Sequence, residues 1–312
     1  MSEVIENEAE LFQSQRTKYK PAGFAFAALA LLFVLYQFVG GGVTLLFVGG
    51  QLTTDNVTAA RLATMLSQIF FLLVPTLYLA KRQHGKITEA FTWRIPSFIE
   101  TFLALAGMVA LMQIGETYLY LQSLIPIPEK LVPFIEIIKQ AIDEAYQILI
   151  VARSVPEMLF VVLVAAVTPA ICEELMFRGL IQKNLSLAYG NIKGYVLAGT
   201  IFGLYHMNPF WLVPLIALGI YFSFMQYRSR TLWLPIAAHL INNGVATAGV
   251  YLYGSSDSMT PTVFMAAEGE PSMSMVLGSG IFFTVIFFVI IVQYIRVTDI
   301  VQNEIHPYDQ TH

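Results

Sequence analysis

Residues 21–48 read PAGFAFAALALLFVLYQFVGGGVTLLFV, and this stretch decides the fold. It holds no charged side chain. As a helix rising about 1.5 Å per residue it is longer than the roughly 30 Å hydrocarbon core of a bilayer. It is too long for the apolar region of a cleaved signal peptide, and no small-residue cleavage site follows a short core, so it reads as a retained first span. The residues before it, MSEVIENEAELFQSQ, are polar and acidic, and Arg16, Lys18 and Lys20 stand at its edge. Residues 1–20 are therefore expected to form a polar cytosolic tail.

Seven more apolar segments follow, at 60–80, 98–122, 157–182, 194–207, 210–227, 231–253 and 275–295. The composition agrees: 56% of the 312 residues are hydrophobic and 12% charged, and the mean hydropathy is +0.66. A soluble domain carries about 25% charged residues. This chain cannot cover itself with polar surface, and lipid is the solvent its excess calls for. The expected fold is all-α, a polytopic membrane helix bundle of about eight transmembrane helices, with residues 1–312 as a single membrane domain.

Between the third and fourth spans, Phe134–Ile150 has Phe134, Ile135, Ile138, Ala141, Ile142, Ala145 and Leu149 at helical spacing. Glu136, Lys139, Gln140, Asp143, Glu144 and Gln147 fill the other side. This is expected to be an amphipathic helix lying on the membrane face or capping the bundle. Ser154-Val-Pro-Glu157 reads as a capping box that starts the fourth span. With the N-terminus in the cytosol, alternation puts twelve Lys and Arg inside and four (Arg61, Lys130, Lys139, Arg153) outside, leaving Arg178 within a span. The loop 254–274 has no Lys or Arg, as expected outside, and both termini are expected in the cytosol. A net charge of −4 gives no footprint for nucleic acid, and the apolar spans make the lipid bilayer an expected partner. The single cysteine, Cys172, rules out an internal disulfide and a zinc site of several thiolates.

Ionisable groups inside apolar spans cost about 2.5–3.5 kcal/mol each to insert, which makes each a functional candidate. They crowd the second half of the chain: Ile171-Cys-Glu173-Glu174-Leu-Met-Phe-Arg178, Phe202-Gly-Leu-Tyr-His206 and His239-Leu-Ile-Asn-Asn243. Glu174 and Arg178, four residues apart, share a helix face and can pair. Glu173 is turned about 100° from Glu174, so the two carboxylates face different neighbours. Counting about 1.5 Å per residue from Lys183, Lys193 and Arg230 puts Glu173, His206 and His239 roughly 15, 20 and 13 Å deep. Three spans thus carry polar groups to a similar middle depth. Taken singly, Glu174–Arg178 reads equally as a structural ion pair, and either histidine as a satisfied interhelical one. Glu116 in the third span has no evident partner. Gln37, Gln68 and Gln113 read as interhelical hydrogen-bonding residues, and Gly40-Gly-Gly42 as a point that loosens the first span.

The patterns EExxxR, FxxxH and HxxxN, in this order on separate helices, resemble the CAAX prenyl endopeptidase and bacteriocin-processing family of intramembrane glutamic proteases. Here they stand as Glu173-Glu174-x3-Arg178, Phe202-x3-His206 and His239-x3-Asn243. The resemblance covers residues 155–255, the expected catalytic core. It implies peptide-bond hydrolysis, with Glu173 as the general base that activates a water and His206 orienting that water or moving its proton. His239 and Asn243 would stabilise the oxyanion, with Glu174 and Arg178 supporting them. It also implies a mechanism without a required metal. Two Glu and two His can nonetheless bind zinc in principle, although no HExxH occurs. The expected substrate is a membrane-associated or lipidated peptide, and the expected location is a prokaryotic inner membrane. Two other readings remain: an ion-coupled transporter using the Glu and His residues as a proton path, and an inactive scaffold or immunity protein of the same fold.

Overall fold

The structure, a computed structural model, describes residues 17–50, 53, 55–253 and 272–305. Arg16 and most of the polar tail lie outside these residues, as does the charge-poor loop up to position 271. The described chain is helical, with no strand beyond an isolated bridge between Trp93 and Thr231.

Among the described residues nine long helices carry the architecture, beside a single short turn of helix at Ile87–Ala90: α1 (Pro21–Phe47), α2 (Val57–His84), α3 (Phe98–Ser123), α4 (Val132–Ile150), α5 (Val155–Tyr189), α6 (Asn191–Tyr205), α7 (Leu212–Ser229), α8 (Trp233–Tyr253) and α9 (Met273–Ile305). Local chemistry sets their ends. Ser97 accepts from the Glu100 amide while the Glu100 carboxylate takes the Ser97 amide, a complete capping box for α3. The box expected at Ser154 is only half made. Ser154 accepts from the Glu157 amide, but the Glu157 carboxylate turns to the Arg153 amide and the Arg61 guanidinium. The Arg61 guanidinium draws the carboxylate away from the Ser154 amide, and the second carboxylate oxygen settles on the amide of Arg153.

Five of these helices are long and apolar enough to cross a membrane by length and composition: Pro21–Phe47, Val57–His84, Phe98–Ser123, Val155–Tyr189 and the Met273–Asp299 part of α9. Helices α6, α7 and α8 fill the positions of the other three expected spans. α6 is the shortest, at 15 residues. α8 also carries His239 and Asn243, which dilute its apolar character, and His206 stands just past the C-terminal end of α6. The outer surface is an apolar belt, with Phe38, Leu46, Phe70, Phe102, Ile281 and Phe288 all exposed. A patch of this size would aggregate in water and is at home in lipid. The chain is an integral membrane protein built as a polytopic helical bundle.

Two apolar clusters meet inside. One joins α1, α2, α5, α6 and α8 through Leu32, Leu72, Met176, Phe177, Leu180 and Phe202. The other joins α3, α7, α8 and α9 through Met108, Phe222, Met225 and Tyr294. They touch at Phe202 and Phe222, whose ring centroids are 6.4 Å apart. Helices α6 and α7 pack backbone to backbone. A Cβ on Gly199 would stand 2.3 Å from the Ile220 nitrogen, and one on Gly219 would stand 2.3 Å from the Gly199 carbonyl oxygen.

The amphipathic segment is a helix over Val132–Ile150, as expected, although the side chains of Asp143, Glu144, Ala145 and Gln147 lie outside the described residues. Its C-terminal end is bolted to the bundle by Arg61 of α2. That guanidinium donates to the Leu149 and Val151 carbonyls and pairs with Glu157 at 2.7 Å.

Candidate active site

α5 carries the acidic pair, and its backbone there departs from regular α-helix. Leu163–Val167 and Leu175–Ile181 are π-helical, as are Val34–Gly40 in α1 and Gln68–Leu73 in α2. Such stretches often gather at functional sites, because each shifts the face that the following side chains present. Pro169 accounts for part of the distortion. It lacks an N–H, so the carbonyl four residues back, on Ala165, loses its helical donor. The Asn243 side-chain amide takes that place at 3.0 Å.

Glu174 is fully buried. Its Oε1 accepts from Arg178 Nη1 and from His239 Nδ1, each at 2.8 Å. Arg178, also fully buried, donates from Nη2 to the Gly219 carbonyl at 2.9 Å. Its guanidinium lies 4.4 Å from the Phe202 ring centroid and 5.4 Å from that of Phe222. The close approach of α6 and α7 at Gly199 and Gly219 brings that carbonyl into reach. His239 packs on the same two rings. A buried charge is costly unless paired and hydrogen-bonded; the triad pairs its charges between the two apolar clusters, while Glu174 Oε2 and Arg178 Nε stay buried without a partner.

Glu173 faces elsewhere. Its Oε2 is buried, has no hydrogen-bond partner, and lies 3.8 Å from His206 Nε2. His206 Nδ1 is 2.7 Å from the Phe202 carbonyl. A carbonyl can only accept, so Nδ1 carries a proton, and in the neutral form of the ring the lone pair on Nε2 faces Glu173. The site thus sets two acceptors side by side, too far apart for a direct hydrogen bond and at a spacing that one water bridges by donating to both. Glu173 and His206 keep some access, at 12% and 26% of their side-chain surface.

All six residues singled out in the sequence line facing surfaces of α5, α6 and α8, but they split into two sets. Glu174, Arg178 and His239 form a closed triad. Glu173 and His206 form an open pair. Asn243 reaches α5 at Ala165, with one amide N–H committed there, and its Oδ1 accepts from Asn242. Phe202 joins the sets: both histidine rings and the guanidinium pack against it, and its carbonyl fixes the His206 tautomer.

Periodicity did not reveal a layer of hydroxyls and amides from α1, α2 and α6 around Glu173. Gln37 donates to the Tyr205 carbonyl, and Gln68 donates to the Tyr36 hydroxyl at 3.0 Å. The phenols of Tyr36 and Tyr205 both lie within electrostatic reach of Glu173, as does that of half-exposed Tyr146 on α4. Among the described residues no three of His, Cys, Asp and Glu cluster as metal ligands, and Glu116 forms no ion pair.

Residues 155–245 match the profile of a family described as type II CAAX prenyl endopeptidase Rce1-like. A curated relative, the "Putative membrane peptidase YdiL" of Bacillus subtilis (strain 168), is 26% identical over 229 residues, covering 70% of this chain and 81% of its own length. The likeness therefore runs well beyond the motif-bearing core. These matches bear out the resemblance to the CAAX prenyl endopeptidase and bacteriocin-processing family. No solved structure matches the chain.

Proposed function

We propose that this protein is an intramembrane endopeptidase that hydrolyses peptide bonds in membrane-associated or lipidated peptides with a water activated by Glu173 and His206. The observation that carries the reading is the pair of acceptors, Glu173 Oε2 and His206 Nε2, 3.8 Å apart on two partly exposed side chains. The family likeness and the name of the Bacillus relative support the same reaction class.

The chemistry follows from the hydrogen-bond inventory. A water donating to both acceptors has a lone pair directed away from them, toward a carbonyl carbon. As its oxygen adds, its proton passes to Glu173, and the carbonyl π pair moves onto oxygen. When the C–N bond breaks, the proton returns through Glu173 or His206 to the leaving amine. His239 and Asn243 stabilise the oxyanion, and dry, fixed donors do this better than water does. Asn243 has a second amide N–H for this task. His239 must be an imidazolium to serve, because Nδ1 already donates to Glu174. Glu174 and Arg178 hold His239 in place.

The reaction as proposed needs no metal. Glu174 is committed to a guanidinium, whose charge opposes a cation beside it. Activity that vanishes in chelator and returns with zinc would contradict this. The protein is proposed to sit in a prokaryotic inner membrane with both termini in the cytosol.

The test is to incubate purified protein in detergent with farnesylated and unmodified hydrophobic peptides, wild type beside Glu173→Gln, and to read products by mass spectrometry. Products made by the wild type and not by the variant support the reading. Products from both, or from neither, refute it.

A further inference from the structure

Among the buried polar atoms without a partner are the Glu173 carboxylate oxygen Oε2 and the hydroxyl of Tyr205. Glu173 Oε2 is an acceptor and is answered by the water of the proposed reaction. Tyr205 supplies a donor. Its side chain is 91% buried by area, since 9% remains exposed, yet its O–H serves nothing in the fold. Buried hydroxyls left unsatisfied are rare and costly, and each one calls for an explanation.

The ring around that hydroxyl is held firmly. It packs edge-on against Phe33 of α1 and Phe177 of α5, with both centroid distances 5.4 Å. Gln37 of α1 clasps the Tyr205 carbonyl. The residue directly precedes His206, and its phenol interacts electrostatically with Glu173 and Tyr36. The other donors nearby are largely spent: Arg178 on Glu174 and Gly219, His239 Nδ1 on Glu174, and one Asn243 N–H on Ala165. A phenol can donate without any change of protonation state, which His239 cannot do from Nε2.

We propose that Tyr205 is a further catalytic residue, its O–H donating a hydrogen bond to the oxygen of the scissile carbonyl as that oxygen becomes an oxyanion. This rests on the peptidase reading above. No proton is transferred from Tyr205: the water oxygen bonds to the carbonyl carbon, the π pair goes to the carbonyl oxygen, and the water's proton goes to Glu173. The phenol strengthens its hydrogen bond as charge develops and relaxes when the C–N bond breaks.

The test is Tyr205→Phe, assayed on whichever farnesylated or unmodified peptides the wild type cleaves in a Glu173-dependent way, with thermal unfolding in detergent measured in parallel. The variant keeps the ring between Phe33 and Phe177. The expected result is a fall in kcat of about 10²–10³-fold, the usual loss for one oxyanion donor, with KM little changed. The melting temperature should hold or rise, because an unanswered buried hydroxyl has been removed. A variant that cleaves within a few-fold of the wild type overturns the proposal. So does one that loses activity together with melting temperature, since the hydroxyl would then be structural. If Glu173→Gln is inert while Tyr205→Phe is fully active, only this inference falls. If the wild type shows no Glu173-dependent cleavage, the peptidase reading falls and takes this one with it.

Discussion

Replacing Arg178 with Met should destabilise the bundle by about 3–5 kcal/mol, the range for stripping one member from a buried ion pair. The structure shows why the effect should be large. Glu174 is fully buried, its Oε2 has no partner, and its Oε1 would keep only His239. Met fills the slot between Phe202 and Phe222, so the loss reports the charge and not a cavity. Glu174→Leu should cost a similar amount by leaving the guanidinium unanswered. Were the two positions independent, the double variant would lose about 6–10 kcal/mol, the sum of the singles. It removes both charges together, however, and is expected to be no less stable than either single variant, a coupling of about 3–5 kcal/mol. Unfolding in detergent micelles by graded denaturant, followed by far-ultraviolet circular dichroism, measures all four corners of the cycle. A double variant at the additive value, or an Arg178→Met protein within about 1 kcal/mol of wild type, would refute the reasoning.

Glu173→Gln should lower kcat by about 10²–10⁴-fold, the contribution of a general base. It should leave the melting temperature unchanged, because Oε2 supports no contact in the fold. Asn243→Ala should cost about 1–3 kcal/mol by orphaning the Ala165 carbonyl. Adding Pro169→Ala should recover much of that stability by restoring the helical donor, and denaturant titration that finds no recovery would contradict the account. Arg61→Met should free the end of α4, seen as faster proteolytic cleavage between residues 132 and 153; an unchanged digestion pattern would show that other contacts hold the helix.

Much of this was legible in the sequence because lipid imposes simple rules. Spans declare themselves by length and apolar content, and Glu174 and Arg178 declare their pairing by separation along a helix. Which histidine meets which carboxylate was not legible from spacing, because that depends on how α5, α6 and α8 rotate against one another; only the family resemblance implied that His206 partners Glu173. The structure matches His239 with Glu174 and sets His206 beside Glu173. Asn243 was read from its spacing to His239, yet its firmest contact answers Pro169, a signal present in the sequence as a proline inside a span. Gln37 and Gln68 were read as interhelical hydrogen-bonding residues and are so, whereas Tyr36 escaped because it sits in a π-helical stretch, where a 3.6-residue period assigns faces wrongly. Tyr205 escaped because a tyrosine beside a histidine looks like ordinary packing until its hydroxyl is found without a partner.

The proline-freed carbonyl on α5 has a mechanical consequence. With Asn243 latched to it, and His239 latched to Glu174 further along the same helix, α5 and α8 are pinned at two separate heights. Neither can slide or roll past the other without exposing a bare polar group to hydrocarbon. The acid-bearing rod is thus a fixed anvil. Whatever yielding the protein needs to admit a chain as long as a peptide falls to the walls around it, formed by α1, α2 and the strap of α4.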